Sequence, residues 1–173
     1  MVEENIFLDI GGGVTPKEGY TNIDILPCAD IVLDVTKEDL PFADNTVSKV
    51  HSSHAFEHFS YGKILKEICR VCKTGSEVVI RVPHWNSDMA FCAGHVHSVS
   101  ETQVKHWSED FVSYWFDGSK RLKLIGTSYV PNGKVYDEAK ECFPNLSPLQ
   151  IKKFIPNTCT EIKFLFEVIP YAR

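Results

Sequence analysis

The sequence predicts one α/β domain built on a mainly parallel sheet. Apolar segments of strand length alternate along the chain with segments in which apolar residues recur at helical spacing, a pattern typical of this class. The chain has 173 residues, of which 43% are hydrophobic, so it is long enough for a single sizeable core. We therefore treat residues 1–173 as a single domain.

The first two strands are predicted at residues 6–10 and 20–25. The first strand runs directly into Gly11, Gly12 and Gly13, and the second begins seven residues after Gly13. This connection is too short for a crossover helix of ordinary length. The pair is therefore either a parallel unit without its helix or a hairpin.

Two further strands, a helix and a fifth strand follow. The strands are predicted at residues 30–35 and 47–53, and Ile64, Leu65 and Ile68 then recur at helical spacing. The helix is predicted to end at Lys73-Thr74-Gly75, because a cation in the last turn and a glycine after it are C-terminal signals. The fifth strand, at residues 77–82, is stopped by Pro83.

The last third of the chain predicts a helix and two strands. Ser100 and Gln103 fit a capping box at the start of the helix, and the strands are expected at residues 123–130 and 161–169. Between these strands, residues 131–160 contain four prolines and are too long for a hairpin loop, which predicts a lid insertion. An aromatic group is expected to pack in the core or the lid: Trp107, Phe111, Tyr114, Trp115 and Phe116.

Charge and cysteine usage exclude several classes of function. The chain has 18 basic and 23 acidic residues and a net charge of -5, so neither nucleic acid nor an anionic membrane is an expected partner. The N-terminal segment is acidic and no apolar run is long enough to span a membrane. The six cysteines are scattered, which favours free thiols. A cytoplasmic location is therefore predicted.

A nucleoside ligand is indicated by two features at the ends of the first two strands. In parallel sheets ligands bind beyond the carboxyl ends of the strands. There, the loop Gly11 to Gly13 allows close approach and exposes successive N–H groups, and Asp24 can accept hydrogen bonds from both ribose hydroxyls. A dinucleotide would need a helix N-terminus for its pyrophosphate. Since that helix is missing, S-adenosylmethionine, which has no phosphate, is favoured over NAD.

The segment from Leu8 to His84 resembles the class I S-adenosylmethionine-dependent methyltransferases of the type-11 domain group. Six pieces carry the resemblance, in the order of the family: Leu-Asp-Ile-Gly-Gly-Gly at 8–13, Asn-Ile-Asp at 22–24, Asp34 ahead of Asp-Leu-Pro-Phe-Ala-Asp-Asn at 39–45, Ser-Ser-His-Ala-Phe-Glu-His-Phe at 52–59, Glu-Ile-Cys-Arg-Val-Cys-Lys-Thr-Gly at 67–75 and Ile-Arg-Val-Pro-His at 80–84. They cover about half of the chain.

This resemblance implies a fold and a cofactor site. The fold is a Rossmann-like, doubly wound, seven-stranded sheet with its last strand antiparallel, here with a shortened N-terminal part. The cofactor is S-adenosylmethionine. The implied contacts are Asp9, Gly11, Gly12 and Gly13 for the methionine part, Asp24 for the ribose, Asp34 and the Val35 backbone for the adenine, and Ser52 or Ser53 near the sulfonium.

All seven histidines fall between residues 51 and 106, which indicates concentrated polar chemistry there. A general base helps methyl transfer when the acceptor must lose a proton, and neutral imidazole suits that task. The candidates are His95 first and His97 second, followed by His54, His84 and Glu57. His51 and His106 are interpreted as structural.

No metal is predicted, although two arrangements of histidine were considered. His54 and His58 have the spacing of ligands on one helix face, but no cysteine completes a recognisable set, so they are interpreted as structural elements. His95 and His97 share a side if extended and could bind a metal with His84. Acceptor binding or catalysis is the preferred role for those three.

The predicted function is methyl transfer from S-adenosylmethionine to a small molecule, sugar or other metabolite. The alternative is a methyltransferase-like protein that binds the cofactor, or acts as a scaffold, without catalysis. A nicotinamide-dependent oxidoreductase would need the missing pyrophosphate helix. The acceptor, the atom methylated and the oligomeric state, including a homodimer, stay open.

Overall fold

A computed structural model describes residues 5–108 and 119–171. Phe111, Tyr114, Trp115 and Phe116, for which packing roles were predicted, lie outside the described residues. The strands are β1 Ile6–Ile10, β2 Thr21–Asp24, β3 Ile31–Val32, β4 Val47–Ser53, β5 Cys72–Pro83, β6 Lys120–Pro131 and β7 Cys159–Pro170. The helices are α1 Gly62–Val71, α2 Glu101–Ser108, α3 Gly133–Cys142 and α4 Pro148–Phe154.

The strands form one seven-stranded sheet in the order β3-β2-β1-β4-β5-β7-β6. Strands β1 to β5 are all parallel to one another. Strand β7 runs antiparallel to both of its neighbours, β5 and β6. The Rossmann-like sheet with an antiparallel last strand is thereby confirmed. Strand order reverses between β1 and β4, which is where such sheets bind ligands.

The first two strands are parallel, so the hairpin alternative is wrong. Leu8 pairs with Thr21 and Ile10 with Ile23, and the residues between the strands form turns and bends without a helix. The backbone N–H of Lys17 donates to the Asp9 carboxylate at 2.7 Å. Asp9 therefore ties the connection back to the end of β1, which lets a short loop take the place of a crossover helix.

Helix α1 ends at Val71, so the predicted end at Gly75 is wrong. Cys72 already has extended backbone and begins β5. Gly75 has a φ of 84° and lies where the register of β5 against β4 shifts. The glycine supplies a left-handed residue to an irregularity in the strand, the same property for which helix ends use it.

The start of α2 shows only half of the predicted capping box. The Gln103 N–H donates to the Ser100 hydroxyl at 3.3 Å, as expected. The Gln103 side chain, however, donates to the Tyr61 hydroxyl. The Gln103 side chain is thus directed toward Tyr61 beside α1 and not back to the Ser100 backbone.

The core lies on the face of the sheet that α1 covers and continues along β7. Ile64, Leu65 and Ile68 of α1 are buried, and the alternating side chains of β7 are completely buried: Ile162, Phe164, Phe166 and Val168. Cys69 and Cys72 are free and buried, and burial raises the pKa of Cys72 to about 12. Both thiols are therefore neutral packing groups.

Residues 131–160 form a helical unit between the two last strands. It holds α3 and α4, and Ser147 and Gln150 make a complete capping box at the start of α4. Pro131 pairs with Cys159, and Glu161, two positions further along β7, pairs with Pro83 at the end of β5. The helical unit therefore leaves the sheet at the end where β5 finishes. No helix within residues 5–108 and 119–171 has the length and apolar character needed to cross a membrane.

Candidate active site

A cavity of about 860 Å³ lies at the carboxyl ends of β1 to β4. Four stretches of chain line it: Gly11 with residues 23–25, residues 33–36, residues 54–60 in part, and residues 96–97. The volume is within the usual range for a site that encloses a small molecule. Because β2 and β3 lie on one side of β1 and β4 on the other, the carboxylates after β2 and β3 face the histidine segment after β4 across Gly11.

Asp24 lies in the cavity wall with both carboxylate oxygens engaged by backbone. Oδ2 accepts a hydrogen bond from Gly13 N at 2.9 Å, and Oδ1 accepts one from Leu26 N at 3.0 Å. A carboxylate offers about four acceptor positions, so each oxygen can accept a further hydrogen bond. Asp24 is thus held in one orientation with acceptor capacity left for a pair of hydroxyls.

Two backbone N–H groups of the glycine loop donate hydrogen bonds to other parts of the protein. Gly11 N donates to Ile23 O at 2.8 Å, and Gly13 N donates to Asp24. The prediction that successive N–H groups of this loop are presented to a ligand is therefore wrong for Gly11 and Gly13. Gly11 has a φ of 73°, and a Cβ there would overlap the Ala55 side chain. Glycine is required here for close packing against the segment after β4.

Asp9 supports the glycine loop and does not line the cavity. It is 2% exposed, and its second oxygen lies 2.7 Å from His51 Nδ1. A Cβ on Gly12 would lie 2.6 Å from Asp9 Oδ2. The interpretation of His51 as structural agrees with this contact, and any effect of Asp9 on a ligand passes through the loop it holds.

Asp34 and Val35 line the cavity at the β3 side. The Asp34 carboxylate accepts hydrogen bonds from Thr36 N at 3.0 Å and Thr36 Oγ1 at 2.6 Å, and it pairs with Lys37 Nζ at 2.7 Å. The contacts with Lys37 and Thr36 lower the pKa of Asp34 to about 2. The carboxylate is therefore charged and fixes the turn that presents the backbone of Val35.

The two serines at the end of β4 lie outside the cavity lining. The Ser52 hydroxyl is fully buried and donates to Ile10 O at 2.8 Å, which joins β4 to β1. Ser53 is half-buried and pairs with Arg81 in the sheet. The structure thus shows Ser52 holding the strands whose ends form the cavity.

His54 lines the cavity between two carboxylates. Its Nδ1 lies 3.4 Å from Glu57 Oε1 and its Nε2 lies 3.3 Å from Glu161 Oε1. The Glu57 interaction raises the pKa of His54 above its ordinary value, despite the opposing effect of burial. A histidine with a raised pKa carries a proton over more of the neutral range and is less suited to act as a base.

The structure separates the other three histidines that were candidates for catalysis. His97 lines the cavity, with its ring centroid 5.1 Å from that of Tyr61. His95 lies beside it in sequence but packs edge-on against His58, with centroids 4.6 Å apart. His84 is 1% exposed and packs against Tyr129, and burial lowers its pKa. Of the four, His54 and His97 share the cavity wall.

Sequence reasoning missed Glu161 as a part of this region and interpreted His58 as structural. His58 lines the cavity and contacts His95, and Glu161 pairs with His54 from the start of β7. Glu161 is 107 positions beyond His54, so nothing local in the sequence links them. Residues 56–58 form a short 3₁₀ helix that excludes His54, so the helical pairing of His54 with His58 does not form.

Comparisons with known proteins agree with this fold. Residues 20–80 match the family model described as a methyltransferase domain. The YcgJ protein from Bacillus subtilis superposes with a TM-score of 0.60 and 15% identity, over 98% of this chain and 94% of that one. A SAM-dependent methyltransferase from Archaeoglobus fulgidus gives 0.60 and 17%, over 94% and 86%. No curated protein matches the sequence.

A third structure carries both the cofactor product and a substrate. The geranyl diphosphate C-methyltransferase from Streptomyces coelicolor A3(2), in complex with Mg²⁺, geranyl diphosphate and S-adenosyl-L-homocysteine, is similar with a TM-score of 0.59 and 10% identity. The match covers 95% of this chain and 74% of that one. At these identities the structural likeness shows the fold.

The fold is similar to that of solved S-adenosylmethionine-dependent methyltransferases, and residues 20–80 match a methyltransferase domain. The segment that matches falls on β2 to β5 and the ends of strands that line the cavity. The matched segment is thus similar to a methyltransferase domain, and a similar structure has been solved with S-adenosyl-L-homocysteine bound.

Proposed function

We propose that this protein transfers the methyl group of S-adenosylmethionine to a small-molecule, sugar or other metabolite acceptor inside the 860 Å³ cavity. One observation carries the proposal. The same cavity holds the Asp24 carboxylate at the end of β2 and, across β1, the imidazoles of His54 and His97. A carboxylate for a nucleoside and imidazoles for an acceptor are thereby in one cavity.

The residues present fit the cofactor. Asp24 has acceptor capacity for both ribose hydroxyls, and Gly11 leaves the wall free of a side chain beside it. The backbone of Val35, fixed by the Asp34 turn, would take the adenine edge. Asp9 and Ser52 act indirectly, since they hold the glycine loop and the β1–β4 junction.

Bound there, S-adenosylmethionine supplies an electrophilic methyl group, which an acceptor lone pair takes as the carbon–sulfur bond breaks and its electron pair moves to sulfur. Much of the rate in such a displacement comes from holding the acceptor in line and excluding water. Val96 and His97 contribute to the wall that would hold the acceptor.

His97 is the base we assign for an acceptor that must lose a proton. It lines the cavity, whereas His95 packs on His58 and His84 is buried against Tyr129. Glu57 raises the pKa of His54, and both ring nitrogens of His54 lie near carboxylates, so His54 is less suited to act as the base. The order of candidates is thus changed from His95 before His97 to His97 before His95.

The acceptor is small and is not a polyanion. Val96 and Phe59 add apolar wall beside His97, and carboxylates lie on both sides of His54. Together with the net charge of -5, this disfavours nucleic acid. Residues 131–160 leave the sheet at the end that holds the carboxyl ends of the parallel strands, as the cavity does. This position supports a role as a lid over the acceptor.

The proposal is tested by following isotope-labelled methyl groups. The protein is incubated with methyl-labelled S-adenosylmethionine and, separately, with metabolite, protein and RNA fractions of its source cells. We expect label in a metabolite fraction, and less of it with Asp24→Asn at a limiting cofactor concentration. Binding of the cofactor by the wild type with no transfer to any fraction would favour the scaffold alternative, and label in RNA or protein alone would contradict the acceptor class.

A further inference from the structure

Three side chains that can bind a metal meet at the wall of the cavity. Glu57, His58 and His95 each offer a ligand atom, and these atoms all lie within 4.8 Å of one another. Glu57 and His58 come from the turn after β4, and His95 comes from the segment before α2, 37 positions beyond His58. The cluster is therefore made by the tertiary fold.

The Glu57 carboxylate is buried without a hydrogen-bond partner. The residue is 1% exposed, and neither carboxylate oxygen has a hydrogen bond from any described residue. His54 Nδ1 lies 3.4 Å away, within ion-pair distance but without hydrogen-bond geometry. Buried carboxylates are normally paired and hydrogen-bonded or bound to a metal, because desolvation of a free charge is costly. Glu57 therefore has unused acceptor capacity.

The two imidazoles are arranged as metal ligands are. His58 Nδ1 lies 3.2 Å from the carbonyl oxygen of Gly94, which makes this nitrogen the donor and leaves Nε2 with its lone pair. A second contact of this kind, which orients the ring, is typical of histidines that bind metals. His95 Nδ1 is buried and has no hydrogen-bond partner among the described residues.

The backbone holds the two segments together. Val96 N and His97 N both donate to Glu57 O, at 2.8 Å and 3.2 Å. His95 is therefore fixed beside Glu57 before any ion binds. An ion about 2.1 Å from each ligand requires ligand atoms at most about 4.2 Å apart. Small side-chain rotations bring the set from its present spacing, within 4.8 Å, to that limit.

We propose that Glu57, His58 and His95 bind one divalent first-row transition-metal ion, with Zn²⁺ as the probe. Two imidazole nitrogens and one carboxylate oxygen suit zinc or ferrous iron, whereas Mg²⁺ and Ca²⁺ prefer oxygen ligands throughout. Three protein ligands leave a position for water or a substrate oxygen. Because His58 lines the cavity, the ion lies in its wall. Binding of the ion is independent of the proposed methyl transfer.

The test is a Zn²⁺ titration of chelator-treated protein by calorimetry, with Co²⁺ absorption as a second readout. Three exposed cysteines, Cys28, Cys92 and Cys142, are first replaced by serine so that thiols do not compete. We expect one equivalent to bind, and we expect Glu57→Gln, His58→Gln and His95→Gln each to weaken binding by about 100-fold or more, beyond the 10–100-fold usual for outer-shell partners.

The matched control is His97→Gln, which removes an imidazole two positions from His95 while leaving the three ligands. It should keep the one-equivalent binding and the Co²⁺ spectrum. The proposal is overturned if the parent protein binds no Zn²⁺, or if His97→Gln weakens binding as much as His95→Gln does. His58 is exposed, so His58→Gln should fold. Unchanged binding in that variant would also overturn the proposal, whether or not Glu57→Gln folds.

Discussion

The amide of Gly13 donates a 2.9 Å hydrogen bond to the carboxylate of Asp24. This contact joins the glycine loop after β1 to the end of β2 and orients Asp24 in the cavity wall. It substitutes for the helix that would otherwise follow β1, because it fixes the loop through a side chain of the next strand. The ribose-binding carboxylate of the proposed site is therefore also a structural group.

Gly11→Ala should destabilise the protein and disturb the cavity. Its φ of 73° strains any residue with a Cβ, and that Cβ would overlap Ala55. Strain of about 1–2 kcal/mol and overpacking of about 1–3 kcal/mol lead us to expect a fall of about 2–5 kcal/mol in the free energy of unfolding. Urea denaturation measures it.

The control for Gly11 is Gly133→Ala at the start of α3, where a Cβ meets nothing within 4 Å. This variant should be neutral or slightly stabilising, because alanine reduces the freedom of the unfolded chain. Equal stability of the two variants would contradict the close approach of the β1 and β4 ends.

His97→Gln should lower the rate of methyl transfer while leaving S-adenosylhomocysteine affinity unchanged. A general base contributes about 10²–10⁴-fold, so kcat should fall by that factor for an acceptor that loses a proton. The comparison is His106→Gln, an exposed position on α2, which should retain full activity. An unchanged kcat in His97→Gln would remove His97 from the role of base.

His84 should make the protein less stable in mild acid. Burial lowers the pKa of His84 in the folded protein, so the unfolded chain binds its proton first as the pH falls. The stabilisation from neutral His84 is present above the unfolded pKa of about 6.5 and is lost as pH falls from there toward the folded pKa. The slope from one group is at most about 1.4 kcal/mol per pH unit.

Comparison with His84→Phe isolates this effect, since phenylalanine keeps a ring beside Tyr129 and does not titrate. The free energy of unfolding, measured between pH 7.5 and 5, should fall more steeply in the wild type than in the variant. His54, whose pKa is raised, changes stability in the opposite direction but is common to both proteins. Parallel curves would show that folding does not change the pKa of His84.

Patterns local in sequence predicted the sheet well. Each strand was found because β-branched and apolar residues alternate or run together, and Asp24, Asp34 and His54 were found because they follow strands. The errors arose where one signal serves two purposes. Gly75 marks an irregular strand and not a helix end, and Gln103 bonds to Tyr61 and not to its own cap.

The site was less predictable because its contacts join residues that are far apart in the sequence. His95 and His97 are two positions apart in the sequence, yet His95 packs against His58 and His97 lines the cavity. The backbone hydrogen bonds of residues 96–97 to Glu57 O decide this difference. The use of the Gly11 and Gly13 amides by β2 likewise depends on the register of β1 against β2. Neither relationship has a periodicity that a sequence could show.

The measurement that tests the site most directly is calorimetric binding of S-adenosylhomocysteine to wild type, Asp24→Asn and Asp39→Asn. Asp39 is an exposed carboxylate that pairs with Lys63 outside the cavity lining, so it controls for loss of charge. A charge-assisted hydrogen bond contributes about 1.5–3 kcal/mol, so Asp24→Asn should weaken binding at least about 10-fold while Asp39→Asn binds as the wild type.

Thermal unfolding of the same three proteins shows whether Asp24→Asn keeps its fold when only one side-chain oxygen is left to accept from Gly13 N or Leu26 N. The account predicts a folded Asp24→Asn with weakened binding and an unaffected Asp39→Asn. Tight binding of S-adenosylhomocysteine by Asp24→Asn, or no binding by the wild type, would contradict it.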